Sequence, residues 1–184
     1  KTTVRVGLVQ WQMRPYKTLD DVFEQVEFFV DAVSDYKSDF VLFPEYFNAP
    51  LMAKFNHLGE AQSIRGLAQY TEEVRDRFIN LAISYNINII TGSMPYVKED
   101  GGLYNVGFLV RRDGTYEMYE KVHVTPDEIK SWGLSGGKMV QTFDTDCAKI
   151  GILICYDVEF PELSRIMADQ GMQILFVPFL TDTE

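Results

Sequence analysis

Apolar positions return along this chain with two different spacings, and each spacing predicts a kind of element. Over residues 18–36, Val22, Val26, Phe29, Val30 and Val33 recur at helical intervals and form one apolar stripe. Thr18 is placed to cap that helix, and Asp20 and Asp21 fall in its first turn, where the positive end of the helix dipole favours carboxylates. A second stripe, Val74, Phe78, Leu81, Ala82 and Tyr85, predicts a helix over residues 71–85. A third helix is predicted over 161–170, with Pro161 in its first turn and Gly171 at its end.

Short β-rich runs lie between these segments. Residues 4–11, 39–44, 87–94, 139–143, 149–154 and 173–180 read as strands. Residues 104–111 and 115–119 predict a hairpin that turns at Asp113-Gly114. The stretch 46–68 reads as loop-rich, and Gly133, Gly136 and Gly137 mark another loop. Strands alternate with helices, and one hairpin interrupts the alternation. The expectation is a mixed-sheet α/β fold with helices covering the sheets.

Composition narrows the function. A chain of 184 residues with 46% hydrophobic and 24% charged positions suits a globular domain and excludes collagenous, coiled-coil or disordered chains. The formal charge of −10, with no basic block, argues against nucleic acid and anionic membrane surfaces as partners. No apolar run approaches the roughly 20 residues that span a bilayer. The two cysteines, Cys147 and Cys155, make no disulfide framework, and two histidines without a Cys-x-x-Cys pair make no structural zinc site. A reducing, cytoplasmic setting is expected.

Three residues carry candidate chemistry. Cys155 stands where a buried strand turns toward a helix, in ILICYDVEFPELSR. A thiol at a helix N-terminus has a lowered pKa and is a nucleophile, although the position also fits a small buried hydrophobe. Glu45, in VLFPEYF, follows an apolar strand directly. It is placed as a general base at the carboxyl end of a sheet, or as an ordinary loop acid. Lys121, in YEKVHV, is either a solvent-facing strand lysine or a fixed cation for an oxyanion. A base, a cation and a thiol at strand ends are together the parts of acyl transfer through a thioester. No Gly-x-Gly-x-x-Gly, Walker A or Gly-x-Ser-x-Gly pattern competes with them.

The segments FPE ending at Glu45, EKVH around Lys121, and CYDVEFPE from Cys155 with Arg165 resemble, in order, the motifs of the nitrilase superfamily, the carbon–nitrogen hydrolases. The resemblance covers nearly the whole chain. It implies a four-layer α-β-β-α sandwich and a Glu45, Lys121, Cys155 triad. Glu45 would take the thiol proton, and Cys155 would attack the amide carbon. Lys121 and the backbone N–H of Tyr156 would hold the oxyanion. Glu128 would be a supporting second glutamate that orients Lys121. No metal or organic cofactor is implied.

The implied activity is hydrolysis of a non-peptide carbon–nitrogen bond in a small amide or N-carbamoyl compound. The alternatives are acyl transfer or ammonia supply to a coupled domain, and a catalytically silent interaction module. The family resemblance also implies a homodimer or larger assembly through residues 161–170. Asp157 is expected to satisfy backbone groups at its own helix start, and His123 to be a packed or hydrogen-bonded strand residue. Relatives continue past the run QILFVPFL, whereas this sequence has four residues after it. The chain is therefore expected to be the N-terminal and central part of one hydrolase domain, residues 1–184, truncated at the C-terminus. Its first residue is Lys rather than Met. That leaves room for an upstream domain, such as the acetyltransferase that some relatives carry.

Overall fold

The computed structural model describes residues 2–181. β1 (Val6–Leu8) leads into α1 (Leu19–Asp35), and the capping at Thr18 is reciprocal. Thr18 Oγ1 accepts from Asp21 N–H at 3.2 Å, and Asp21 Oδ2 accepts from Thr18 N–H at 2.9 Å. β2 (Phe40–Leu42) follows, then a 3-10 helix at Ala49–Phe55 and α2 (Glu60–Ala68). The stretch read as loop-rich is thus largely helical. Ile64, Leu67 and Ala68 are buried, and Gly66 lies so close to the Phe55 ring that an added Cβ would come within 2.6 Å of it. The helix is short, and contact with its neighbours holds it more than its own apolar pattern does.

α3 (Thr71–Tyr85) precedes β3 (Asn88–Ile90) and β4 (Met94–Val97). The single strand expected over 87–94 is split in two. Gly92 has φ +73°, and a Cβ there would lie 2.0 Å from Pro44 O, so the chain steps aside at a point only glycine can occupy. The hairpin β5 (Leu103–Val110) and β6 (Tyr116–Glu120) forms as expected. A π-helical turn at Glu128–Trp132 leads to β7 (Thr142–Asp144) and β8 (Lys149–Ile152). A 3-10 helix at Cys155–Glu159, α4 (Pro161–Asp169) and β9 (Ile174–Phe176) complete the described chain.

The first sheet has the order β1-β2-β3-β5-β4, with β6 also paired to β5. β1, β2 and β3 run parallel, and β3 and β4 pair antiparallel with successive stretches of β5. The second sheet is β7-β8-β9. Side chains alternate across the first sheet, as the strand repeat requires. Val41, Ile89, Phe108 and Val110 face α1 and α3, while Phe40, Ile90 and Leu109 face Phe143, Ile150, Ile152 and Phe176 of the second sheet. Leu153, Leu163 and Met167 then seat α4 on the far side. The result is the four-layer α-β-β-α sandwich with mixed sheets.

One inner face stays open. Val6 and Leu8 stand in register with Phe40 and Leu42, so they point into the space between the sheets. Phe176 of β9 reaches only as far as Phe40, with ring centroids 5.2 Å apart. Beyond it Val6 and Leu8 remain 37% and 69% exposed.

Candidate active site

Each expected residue is delivered by the end of a strand. Glu45 leaves β2 through Phe43 and Pro44 and makes an isolated parallel bridge with Ser93. Lys121 leaves β6, where its N–H donates to Asn105 O at 2.9 Å. Glu128 opens the π-helical turn. Cys155 begins the 3-10 helix after β8 with φ +48°, a left-handed conformation that costs a non-glycine residue of order 1 kcal/mol. Its N–H donates to Pro178 O at 2.9 Å, which holds the turn against the strand that follows.

Three of these side chains, Glu45, Lys121 and Glu128, meet in a buried network, and Cys155 stands half-buried beside it with its thiol donating to Leu180 O at 3.9 Å. Lys121 Nζ donates to Glu45 Oε1 and to Glu128 Oε2, both at 2.9 Å. Lys121, Glu45 and Glu128 are 2%, 3% and 6% exposed. Glu45 Oε1 also accepts from Asn105 Nδ2 at 2.9 Å, and Glu45 Oε2 accepts from Leu180 N–H at 3.2 Å. Glu128 Oε1 accepts from the Tyr46 hydroxyl at 2.9 Å and from Asn105 Nδ2 at 3.3 Å. Glu128 Oε2 accepts from Thr125 N–H at 2.8 Å. Glu45, Lys121, Glu128 and Cys155 all line one cleft of about 490 Å³, with Tyr46 and Trp132 edge to face at 5.3 Å beside them.

The electrostatics follow from burial and this bonding. Burial opposes charge on Lys121, but Glu45 and Glu128 outweigh it and hold the ammonium above its ordinary value. Burial likewise works to raise Glu128, but the Thr125 N–H, the Lys121 charge and the Tyr46 hydroxyl overcome it and bring the carboxyl below its ordinary range. A carboxylate depressed in the fold stabilises it above the unfolded value, and that stability is lost as pH falls through the folded value. Denaturant unfolding followed downward through the ordinary carboxylate value of 4.5 is therefore expected to show a steady loss of stability. In Glu128→Gln the slope should be visibly shallower; an unchanged slope would place the acid sensitivity elsewhere.

Cys155 corrects the expected lowered thiol. Burial first, then the nearby charge of Glu45, push it up to about 11 against the pull of Lys121. The five-residue 3-10 helix does not offset them. Cys155 is therefore held toward the neutral thiol.

Tyr156 follows Cys155 in the first turn of that helix, where N–H groups have no intrahelical acceptor. Asp157 does not serve its own helix. It is fully buried, and it reaches across to accept from the N–H groups of Val122 and His123 at 3.0 and 2.7 Å. His123 behaves as expected, bonded through Nδ1 to Asp157 at 3.0 Å and stacked on Phe160 at 3.7 Å. Tyr46 lines the cleft while Phe47 packs in the core. Asn105 is the network residue that sequence reasoning missed: an Asn inside a strand carries no motif, and only the sheet register brings it to Lys121. Among the described residues, no cluster of His, Cys, Asp and Glu is arranged to hold a metal, and no helix is long and apolar enough to cross a membrane.

Comparison with known proteins places this geometry. The family model described as carbon-nitrogen hydrolase matches residues 5–183. Probable hydrolase YhcX of Bacillus subtilis is 46% identical over 179 residues, covering 97% of this chain and 35% of that protein. Human omega-amidase NIT2 is 33% identical over 190 residues, covering 96% of this chain and 63% of that protein. The chain thus spans between about a third and just under two thirds of these curated relatives. A carbon-nitrogen hydrolase structure from Helicobacter pylori superposes with a TM-score of 0.83 at 22% identity, over 96% of this chain and 59% of that one. An amidase from Nesterenkonia sp. AN1, in complex with acrylamide, superposes at 0.81 with 22% identity, over 100% of this chain and 68% of that one. At such identities the structural likeness speaks for the fold, and the sequence match across residues 5–183 speaks for the family. The chain belongs to the carbon-nitrogen hydrolase family.

Proposed function

We propose that this chain carries the reacting groups of a thiol-dependent hydrolase of small, non-peptide amides, with Glu45, Lys121 and Cys155 as its catalytic residues. The observation that carries this reading is the count of acceptor sites around the ammonium. A carboxylate offers about four lone-pair sites. Glu128 has all of its sites filled, by Tyr46, Asn105, Lys121 and Thr125. Glu45 Oε1 is filled by Lys121 and Asn105, while Oε2 holds only the Leu180 N–H among the described donors. Glu45 Oε2 is therefore the carboxylate oxygen with room for a proton, and Leu180 ties it to the thiol: the Leu180 N–H donates to Oε2 at 3.2 Å, and the Cys155 thiol donates to Leu180 O at 3.9 Å.

The chemistry then runs as follows. The Cys155 proton passes to Glu45 as Sγ bonds to the amide carbon. Lys121 spends two of its three N–H groups on Glu45 and Glu128, and the third, with the Tyr156 N–H, faces the oxygen that gains charge. The carbon–nitrogen bond breaks as Glu45 returns the proton to the leaving nitrogen, which departs as ammonia. Water then gives a proton to Glu45 and its oxygen to the thioester carbon. The carbon–sulfur bond breaks, and the thiol is restored with the carboxylic acid released. Glu128, with every acceptor site filled, holds Lys121 in place and moves no proton.

The amidases among the relatives support an amide over a nitrile as substrate. The open strip at Val6 and Leu8 supports reading residues 1–184 as the N-terminal and central part of one hydrolase domain, whose further strands would cover that face. Exposed Val158 and Ile166, beside and on α4, support a subunit contact there.

The test is an intact-mass measurement on the full-length protein incubated with small amides, N-carbamoyl amines and nitriles. An acyl mass added to the wild type and absent from Cys155→Ala, together with ammonia release, is the expected result. A folded protein that gains no mass and releases no ammonia from any of them overturns the reading.

A further inference from the structure

Asn105 is fully buried on β5, and its side chain is bonded in an unusual way. Its amide nitrogen carries two hydrogens and meets two carboxylate oxygens, Glu45 Oε1 at 2.9 Å and Glu128 Oε1 at 3.3 Å. The amide cannot be turned over, because its oxygen would then face both carboxylates. Its oxygen, Oδ1, has no hydrogen-bond partner among the described residues. An unpaired buried carbonyl costs the fold about 1–3 kcal/mol, set here against the two bonds the amide nitrogen makes to buried carboxylates. Asn105 does not line the cleft, and its backbone carbonyl also fixes the Lys121 N–H at 2.9 Å.

We propose that Asn105 is a positioning residue that directs the proton: by capping Oε1 of both glutamates it leaves Glu45 Oε2 as the acceptor for the Cys155 proton. This rests on the thiol hydrolase reading above. Without the amide, Oε1 of Glu45 and Oε1 of Glu128 each gain an open lone pair, and the proton acquires sites from which it cannot return to the leaving nitrogen. The loss also removes a donor from each carboxylate. The other groups facing Glu45 are the Lys121 ammonium, the Cys155 thiol, the Leu180 N–H, and Tyr46 and Glu128 across the cluster. These remain in place in an Asn105 variant.

The experiment compares wild type, Asn105→Ser, which keeps one donor, and Asn105→Ala, which keeps none, all in the full-length protein. The pH dependence of Cys155 alkylation by iodoacetamide is recorded alongside that of amide turnover, with thermal unfolding as the control for folding. The expected result is an acid limb displaced upward by about one pH unit in Asn105→Ala and by about half as much in Asn105→Ser. kcat should fall about tenfold with KM unchanged. An acid limb that stays put in a folded variant, or a rise in KM at constant kcat, overturns the proposal. If Asn105→Ala does not fold, Asn105→Ser carries the same comparison. Wild-type protein that turns over no amide defeats the hydrolase reading alone, because the alkylation limb still reports how Asn105 governs the base.

Discussion

Exchanging Lys121 for methionine is expected to abolish turnover and to lower folding stability by about 3–5 kcal/mol. Methionine fills nearly the same space and removes only the charge and its three N–H groups. Two carboxylates are then left buried, 3% and 6% exposed, with no cation between them. The size of the loss comes from that uncompensated charge rather than from the worth of the ion pair itself. Glu128, without the ammonium that helps hold it below its ordinary range, can escape by taking up a proton, so the defect should shrink as the solution becomes mildly acidic. Urea unfolding of the variant at neutral and mildly acid pH checks both statements. A loss below about 1 kcal/mol, the range of an exposed pair, or one that does not ease in acid, contradicts the buried network.

Glu45→Gln is expected to separate reactivity from acidity at the same site. The substitution keeps shape and leaves Lys121 paired one-to-one with Glu128, so stability should suffer far less than in Lys121→Met. kcat should nevertheless fall by about 10²–10⁴, the range for a lost general base. The thiol should move the other way. The Glu45 charge is the second largest cause, after burial, of a Cys155 value of about 11, so its removal lowers that value. The variant would thus hold more thiolate at a given pH and still turn over more slowly. Ultraviolet thiolate absorbance titrated beside amide turnover shows whether the two part company. If both fall together, the thiolate fraction limits the rate and Glu45 is not the proton carrier.

Much of this could be read from the order of residues, because the residues proposed to react are tied to local punctuation. Glu45 follows the Phe43-Pro44 exit from a strand, and Cys155 sits between a buried strand and the Pro161 that opens α4. Thr18 and the stripe from Val22 to Val33 announced α1 in the same way. What stayed hidden depends on distance through space. Asn105 becomes part of the site because β5 lies beside Lys121, and no local pattern encodes that register. An Asp near a helix start is usually its cap, whereas the structure turns Asp157 onto the backbone of Val122 and His123. α2 escaped because its helical face is completed by Phe55 packing on Gly66. The lowered thiol failed for a related reason: position relative to a helix is visible in sequence, while burial beside a carboxylate is not.

The Asp157 bonds have a consequence for how the protein responds to change in its interior. Lys121 and Glu45 extend from strands of the first sheet, and Cys155 and Leu180 from strands of the second. Every link between these two groups, including Asp157 to Val122 and Leu180 to Glu45, crosses the seam between the layers. The spacing of Glu45 and Cys155 therefore depends on the distance between the two sheets. A repacking of that seam, even at Phe40 or Phe176 outside the cleft lining, is expected to shift Cys155 relative to Glu45.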